Sequence, residues 1–241
     1  MAASLRTLIT GGTGVVGFAI AKRLGQFGHD VILNYAHDDG RAEHAVDQLR
    51  GYGIAASAIR ADVADEKAVA MLFESVQKAG PLDVLVNAVG KFLFKPFLET
   101  TPLEWESIVQ SNLTTIFLCS RQVLPQMRSH RRGSIVNIAS MNAEVLRAKP
   151  NTLPYAIAKA GVVLVTKTLA ATEGHYGIRV NAVAPGFVEA TSYPPEDAAR
   201  AIPLGRLARA EEIADAVAFL ASDRASYITG AILNAHGGAF L

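Results

Sequence analysis

Cysteine is nearly absent from this 241-residue sequence, and its single thiol cannot form a disulfide within the chain. Cys119 lies in the apolar run 116–119, where a thiol usually serves as a small buried hydrophobe. The residues before the first predicted strand contain no apolar leader segment of useful length. These absences predict a cytoplasmic protein.

The sequence also lacks an excess of either charge and a long apolar run. Charged residues make up 19% of the chain and the formal net charge is +1, which is too balanced for a face that binds a phosphate backbone. No uninterrupted apolar run approaches the roughly 18 to 20 residues of a membrane span. We therefore expect neither nucleic acid nor a membrane as a partner, and we predict no metal site.

Short β-branched runs alternate with longer segments of helical period along the whole chain. This alternation predicts an α/β fold: one Rossmann-type, doubly wound, mostly parallel seven-stranded sheet with helices on both faces. No linker or internal repeat interrupts it, so residues 1–241 are expected to form a single domain. The predicted strands are 5–10, 31–35, 56–60, 84–87, 134–139, 179–184 and 232–234. The predicted helices are 15–27, 40–51, 66–78, 102–128, 154–173 and 211–221.

A glycine-rich turn, residues 10–17, joins the first predicted strand to the first predicted helix. Glycine lets a pyrophosphate approach main-chain N–H groups, and the helix start offers unpaired donors and a positive dipole end. An ordinary tight turn has the same composition, but the position in the first βα unit favours a dinucleotide cradle. The predicted contacts within it are Gly11, Thr13, Gly14, Val16 and Gly17.

The end of the second predicted strand indicates which dinucleotide is bound. An acidic residue there would accept hydrogen bonds from the adenosine ribose of NAD and repel the 2′-phosphate of NADP. The residues expected to contact that ribose carry no negative charge; they are Asn34, Tyr35, Ala36 and His37. This favours NADP(H). NAD(H) stays open because two aspartates, at positions 38 and 39, follow directly.

Tyr155 and Lys159 stand one helical turn apart and so face the same way. A phenol with a pKa near ~10 exchanges protons reluctantly at pH 7, and a neighbouring ammonium would lower that pKa. Tyr155 would then protonate a carbonyl oxygen while hydride reaches the carbon. Ser140 follows a predicted buried strand, at the sheet edge where open α/β sheets place their active sites.

In their order and approximate spacing, these motifs resemble those of the short-chain dehydrogenase/reductase superfamily. The resemblance covers nearly the whole chain, from Leu5 to Gly238, and 3-oxoacyl-(acyl-carrier-protein) reductases are nearest in appearance. It implies that Tyr155 is the proton donor and that Lys159 holds the nicotinamide ribose. Ser140 would bind the substrate oxygen, and Asn112, in the long fourth predicted helix, would hold a water that links Lys159 to solvent.

The same resemblance implies further contacts with the nucleotide. The adenine side would be lined by residues after the third and fourth strands, and the nicotinamide by residues after the sixth. The implied residues are Asp62, Val63, Asn87, Ala88, Gly90, Pro185, Gly186 and Val188. One departure from the family pattern concerns the segment between Ser140 and Tyr155, which is about two residues longer than usual.

The substrate is expected to be a small carbonyl or alcohol compound in a mostly apolar pocket. The candidate walls are Phe92, Phe94, Asn142, Val145, Leu146, Phe187 and Tyr193. A carrier protein would require cations near the entrance, where Arg131 and Arg132 are candidates and Tyr176 stands in place of a third. The resemblance also implies a homotetramer, built on the fourth and fifth predicted helices, with a homodimer as the alternative.

Other functions remain open at this point. A dehydratase or epimerase would use the same bound nucleotide with an added carboxylate pair or substrate domain, and neither is evident. A regulator that senses NADPH without turnover would keep the glycine turn and tolerate loss of the proton relay. Within reductases, a sugar, steroid or polyketide-type ketone is an alternative substrate to a 3-oxoacyl thioester.

Overall fold

The computed structural model describes residues 4–191 and 197–239. They include a seven-stranded sheet, all parallel, in the order β3-β2-β1-β4-β5-β6-β7. The direction of strand order reverses between β1 and β4, which opens a crevice at the carboxyl ends of these strands. The strands are β1 (Arg6–Thr10), β2 (Asp30–Tyr35), β3 (Ala56–Arg60), β4 (Val84–Asn87), β5 (Gly133–Ile138), β6 (Ile178–Pro185) and β7 (Ile232–Ala235).

Helices cover both faces of the sheet because its strands are apolar on both sides. Successive residues of a strand point to opposite faces, and the fully buried Leu8 and Ile9 of β1 accordingly belong to two different core clusters. The helices are α1 (Val15–Gln26), α2 (Asp39–Gly51), α3 (Glu66–Lys78), α4 (Pro102–Val109), α5 (Thr115–His130), α6 (Leu153–Glu173) and α7 (Ala210–Ala221). Helices α1 and α7 pack on the Ile9 face, and α3 and α5 on the Leu8 face.

The predicted helix 102–128 is wrong as one continuous α-helix. A π-helical turn, Gln110–Thr114, separates α4 from α5. Polar side chains inside the helix bond to its own backbone there: Asn112 Nδ2 donates to the Ile108 carbonyl (3.0 Å) and Thr115 Oγ1 to that of Ser111 (3.0 Å). Such turns often occur at functional sites, and this one carries a predicted catalytic residue.

One helix among the described residues, Leu153–Tyr176, is long and apolar enough by length and composition to cross a membrane. In this structure it packs against β6 and the π-helical turn, and its Val162 is fully buried in a core cluster. The core helix of a soluble protein can pass the same test of length and composition.

Candidate active site

A cleft of about 1040 Å³ lies along the carboxyl ends of the central strands. Its walls are the glycine turn after β1 and the segments that follow β4, β5 and β6. The described side chains that line it include Arg41, Lys91 and Lys159 but no carboxylate. A cleft of this volume and charge fits a dinucleotide with its pyrophosphate.

The glycine turn brings bare backbone to the cleft. Gly11 has a φ of +64°, and a side chain on Gly17 would collide with the Gly11 carbonyl oxygen. Helix α1 has no side-chain cap at Gly14 and no acidic residue in its first turn. Its first N–H groups are therefore oriented for an anion.

The structure places many of the predicted cofactor residues along this cleft and leaves others outside its lining. The predicted residues that line it are Gly11, Gly14, Val16, Gly17, Ala88, Gly90, Pro185, Gly186 and Val188, together with the four predicted catalytic residues. Those outside the lining are Thr13, Asn34, Tyr35, Ala36, His37, Asp62, Val63 and Asn87. At least four of these side chains have partners within the protein. Asn34 Nδ2 donates to the Ala61 carbonyl (2.9 Å) and Asn87 Nδ2 to Asn137 Oδ1 (2.8 Å), Tyr35 bonds to Asp39, and Asp62 accepts from the Ala64 N–H.

Arg41 is a cleft residue that the sequence reasoning missed. It lies in the first turn of α2, and its backbone N–H is capped by the Asp38 carboxylate (2.9 Å). Asp39 accepts from the Tyr35 hydroxyl (3.0 Å) and lies 3.5 Å from the Arg60 guanidinium. Both aspartates that kept NAD(H) open thus have partners, and neither lines the cleft.

Lys159 is buried at 4% exposure, with its ammonium at the end of β5. Its Nζ donates to the Ile138 carbonyl (2.7 Å) and lies 5.7 Å from the centre of the Tyr155 ring. Burial lowers the pKa of Lys159 to about 8, because the charged form is poorly solvated there.

Tyr155 shares a hydrogen bond with Ser140 and packs edge-on against Phe92, with 4.9 Å between the ring centres. Burial raises the pKa of the Tyr155 phenol, and the hydrogen bond with Ser140 opposes that rise. The sequence-based expectation was that Lys159 would lower this pKa. That expectation is wrong for this structure: burial raises the pKa of the phenol, and the opposing influence is the hydrogen bond with Ser140, not the charge of Lys159.

The π-helical turn directs the Asn112 amide toward the Lys159 ammonium, past Gly90. Its Nδ2 donates to the Lys91 carbonyl (2.8 Å), while its Oδ1 is buried and has no hydrogen-bond partner in the described part of the chain. A side chain on Gly90 would collide with this oxygen and approach the Lys159 ammonium. Glycine at position 90 therefore leaves room for a small polar group between Asn112 and Lys159.

A second cavity, of about 690 Å³, opens beside Tyr155 and has mostly apolar walls. The predicted walls that line it are Phe92, Phe94, Asn142, Val145, Leu146 and Phe187. The other predicted wall, Tyr193, lies outside the described residues. Sequence reasoning missed two cations in the lining, Arg147 and Lys149, which lie in the segment between Ser140 and Tyr155.

The prediction that Arg131 and Arg132 flank the substrate entrance is wrong, because both lie at the other edge of the sheet. They directly precede β5, whereas Ser140 follows it, and a six-residue strand spans about 20 Å. Arg132 lines a groove at the amino-terminal edge of the sheet, and Arg131 donates there to the His175 carbonyl (2.8 Å). Tyr176, the neighbour of His175, stacks beneath Arg128 at that same edge.

These features define a class of protein. A doubly wound parallel sheet carries a glycine-rich anion cradle at its switch point, and a serine, a tyrosine and a buried lysine meet at the carboxyl ends of its strands. This is the arrangement of an enzyme that binds a nicotinamide dinucleotide and exchanges hydride with a carbonyl or alcohol. Within the described ranges, no cluster of three or more His, Cys, Asp or Glu side chains could hold a metal ion.

Comparison with known proteins gives the family. The family model described as enoyl-(acyl carrier protein) reductase matches residues 13–239. The chain is 37% identical to a 3-oxoacyl-(acyl-carrier-protein) reductase of Staphylococcus aureus, over 97% of both chains. The chain therefore belongs to the short-chain dehydrogenase/reductase family and is an NAD(P)(H)-dependent oxidoreductase that acts on carbonyl and alcohol groups.

Two further comparisons show the breadth of its relatives. The chain is 39% identical to cis-4-hydroxycyclohexanecarboxylate dehydrogenase of Sinomonas cyclohexanicum, over 96% of this chain and 94% of the relative. A solved structure of an actinorhodin polyketide ketoreductase variant with NADPH superposes with a TM-score of 0.91 at 32% identity, covering 99% of both chains. These comparisons confirm the fold class predicted from the sequence.

Proposed function

We propose that this protein is an NADPH-dependent ketone reductase in which Tyr155 donates the proton. One observation carries the proposal: Ser140, Tyr155 and Lys159 line both the dinucleotide cleft and the apolar pocket. The two cavities meet at these side chains. A carbonyl group in the pocket would therefore lie between the proton donor and the cofactor.

The chain's own residues account for the proton and the charge. When bound, the nicotinamide supplies the hydride. The Ser140 hydroxyl donates a hydrogen bond to the substrate oxygen, and the Tyr155 hydroxyl gives its proton to that oxygen as charge develops there. The Lys159 ammonium stabilises the phenolate that remains, and Asn112 Oδ1 orients a water through which the proton is replaced.

The described cleft residues fit the nucleotide. The first turn of α1, with Gly14 and Gly17, would hold the pyrophosphate, and Lys159 the nicotinamide ribose. Pro185 and Gly186 would hold the carboxamide. The orphaned Asn112 oxygen and the absence of carboxylates from the described lining support this placement.

Arg41 supports the preference for NADPH over NADH. A guanidinium in this cleft would bind the 2′-phosphate, and a charge-assisted hydrogen bond of this kind changes affinity about 10-fold or more. We expect Arg41→Gln to raise the KM for NADPH about 10-fold and to leave the KM for NADH unchanged. Initial rates with each cofactor measure this, with the exposed Arg50→Gln as control. An equal rise in the KM values for NADPH and NADH would mean that Arg41 does not bind the 2′-phosphate.

The substrate class we favour is a 3-oxoacyl thioester, supported by the 37% identical reductase and by the apolar pocket. The test is NADPH oxidation followed at 340 nm with the N-acetylcysteamine thioester of 3-oxobutyrate, against a panel of cyclic, steroid, sugar and polyketide-type ketones. The thioester is expected to give the highest kcat/KM. NADPH binding without turnover of any ketone would instead favour the NADPH-sensing regulator.

Assembly and cellular setting complete the proposal. A homotetramer built on α5 and α6 is supported by large apolar side chains exposed on these helices, namely Phe117, Ile157 and Leu164. The buried free thiol of Cys119 is compatible with the cytoplasm. We further propose that a single domain carries both the cofactor site and the substrate site, because both cavities lie at one edge of one sheet.

A further inference from the structure

The pocket beside Tyr155 is apolar along its walls and carries cations that the proposed chemistry does not use. Phe92, Phe94 and Leu146 are among its walls. Apart from Lys159, the charged side chains among its described lining residues are Arg147 and Lys149, and no aspartate or glutamate joins them.

Arg147 and Lys149 are uncompensated in the described part of the chain. Neither side chain makes a hydrogen bond or ion pair there. The single carboxylate of the segment 141–154, Glu144, pairs with Lys167 instead (3.0 Å). Lys149 is half-buried, and burial followed by the charge of Arg147 lowers the pKa of Lys149. Arg147 is exposed at the mouth of the pocket, and its charge repels the half-buried ammonium of Lys149; a bound anion would relieve that repulsion.

We propose that Arg147 and Lys149 form a subsite for an oxyanion, a carboxylate or a phosphate, which the substrate carries away from its carbonyl group. The inference deepens the proposed function and rests on it. A guanidinium offers a planar fork that matches either oxyanion, and an ammonium adds a compact second charge. The substrate class is therefore an anionic ketone or alcohol whose apolar body contacts the aromatic walls.

Matched pairs of ketones that differ in charge test this subsite. The carboxylate arm compares 4-oxocyclohexanecarboxylate with its methyl ester. The phosphate arm compares the 4′-phosphopantetheine thioester of 3-oxobutyrate with the unphosphorylated pantetheine thioester. Each pair is measured on the wild-type protein and on Arg147→Gln, Lys149→Gln and the double variant, with NADPH as cofactor.

The expected result is a loss of preference for the charged member of at least one pair. Each single variant should lower the charged-to-neutral ratio of kcat/KM about 10-fold through KM, because a hydrogen bond to a charged group is removed. The kcat/KM for the neutral member should fall much less, because it carries no oxyanion for the subsite to bind. Lys67→Gln, an exposed cation on α3 outside the pocket, is the matched control and should leave the ratio unchanged. If the preference for the charged member is lost in only one arm, the oxyanion of that arm, carboxylate or phosphate, is the one that the subsite binds.

Failure of the subsite and failure of the proposed function give different results. An unchanged ratio in both arms for the double variant overturns the subsite and leaves ketone reduction intact. If no ketone is reduced, the proposed function fails. The subsite is then tested by the binding affinity of charged ketones. In Tyr155→Phe loaded with NADPH, calorimetry should show charged ketones binding about 10-fold more weakly once Arg147 and Lys149 are Gln. Equal affinity there would overturn the subsite.

Discussion

Replacing Tyr155 by Phe is expected to lower kcat for NADPH-dependent ketone reduction about 10³-fold or more. The change removes only the hydroxyl that donates the proton and bonds Ser140. The aromatic ring and its edge contact with Phe92 remain, so the fold and the pocket walls are preserved. The measurement is single-turnover NADPH oxidation, with NADPH affinity determined separately by fluorescence titration.

The control for this variant is Tyr227→Phe, which removes a hydroxyl from a fully exposed tyrosine at the opposite edge of the sheet. It should react as the wild type does. NADPH affinity should change little in Tyr155→Phe, because the glycine turn and Lys159 still hold the nucleotide. Turnover within a few-fold of the wild type would remove Tyr155 from the role of proton donor.

Lys159→Met is expected to abolish most activity and, unusually, to stabilise the fold. Loss of the ammonium should lower kcat/KM about 10² to 10³-fold, the scale found when one preorganised donor is removed. The same change removes a buried charge that the fold solvates poorly, and methionine fills a similar volume. After loss of the hydrogen bond to Ile138, a net gain of about 1 to 2 kcal/mol is expected.

Thermal denaturation measures that gain as a rise in Tm of roughly 2 to 8 °C at pH 7. The matched control is Lys167→Met on the same helix, where the lysine is exposed and paired with Glu144. Its Tm should stay close to that of the wild type. A lower Tm for Lys159→Met would mean that the ammonium is better solvated than its burial indicates.

The stability difference between wild type and Lys159→Met should depend on pH in a defined direction. The pKa of Lys159 is about 8 in the folded protein and near ~10.4 in the unfolded chain, so the unfolded chain binds more protons between these values. Wild-type stability relative to the variant therefore rises with pH across this window. Urea unfolding at pH 7 and pH 10 should show the gap closing; a widening gap would reverse the sign of the pKa shift.

The sheet was predictable because its strands carry an unambiguous pattern. Runs such as Leu8-Ile9 are apolar without alternation, which indicates burial on both faces, and glycines mark the ends of the first helices. The Tyr155 and Lys159 pair was also predictable, since i and i+4 positions share a helix face whatever the surroundings.

The failures share a cause, since each depended on geometry that chain order does not give. Arg131 and Arg132 are close to Ser140 in sequence, but a strand separates them and carries them to opposite edges. Arg41 reaches the cleft from α2, a few residues after the end of β2, where the ribose contacts were expected. The direction of the Tyr155 pKa shift depended on burial, which residue spacing does not report.

The π-helical turn could not be predicted because residues 110–114 contain no glycine or proline that would mark a change in the helix. The structure shows the wider turn in the backbone, where the Thr115 N–H donates to the Gln110 carbonyl five residues earlier. Hydrophobic periodicity detects faces and not the local repeat length.

That wider turn places Asn112 without changing the direction of the helix that follows. A π turn holds one residue more than an α turn, so the extra residue is absorbed within 110–114. Deleting a single residue there should close the backbone into a regular α turn and leave Val123 and Met127 of α5 in the core. The packing of α5 is therefore independent of the wide turn, and the position of Asn112 is what depends on it.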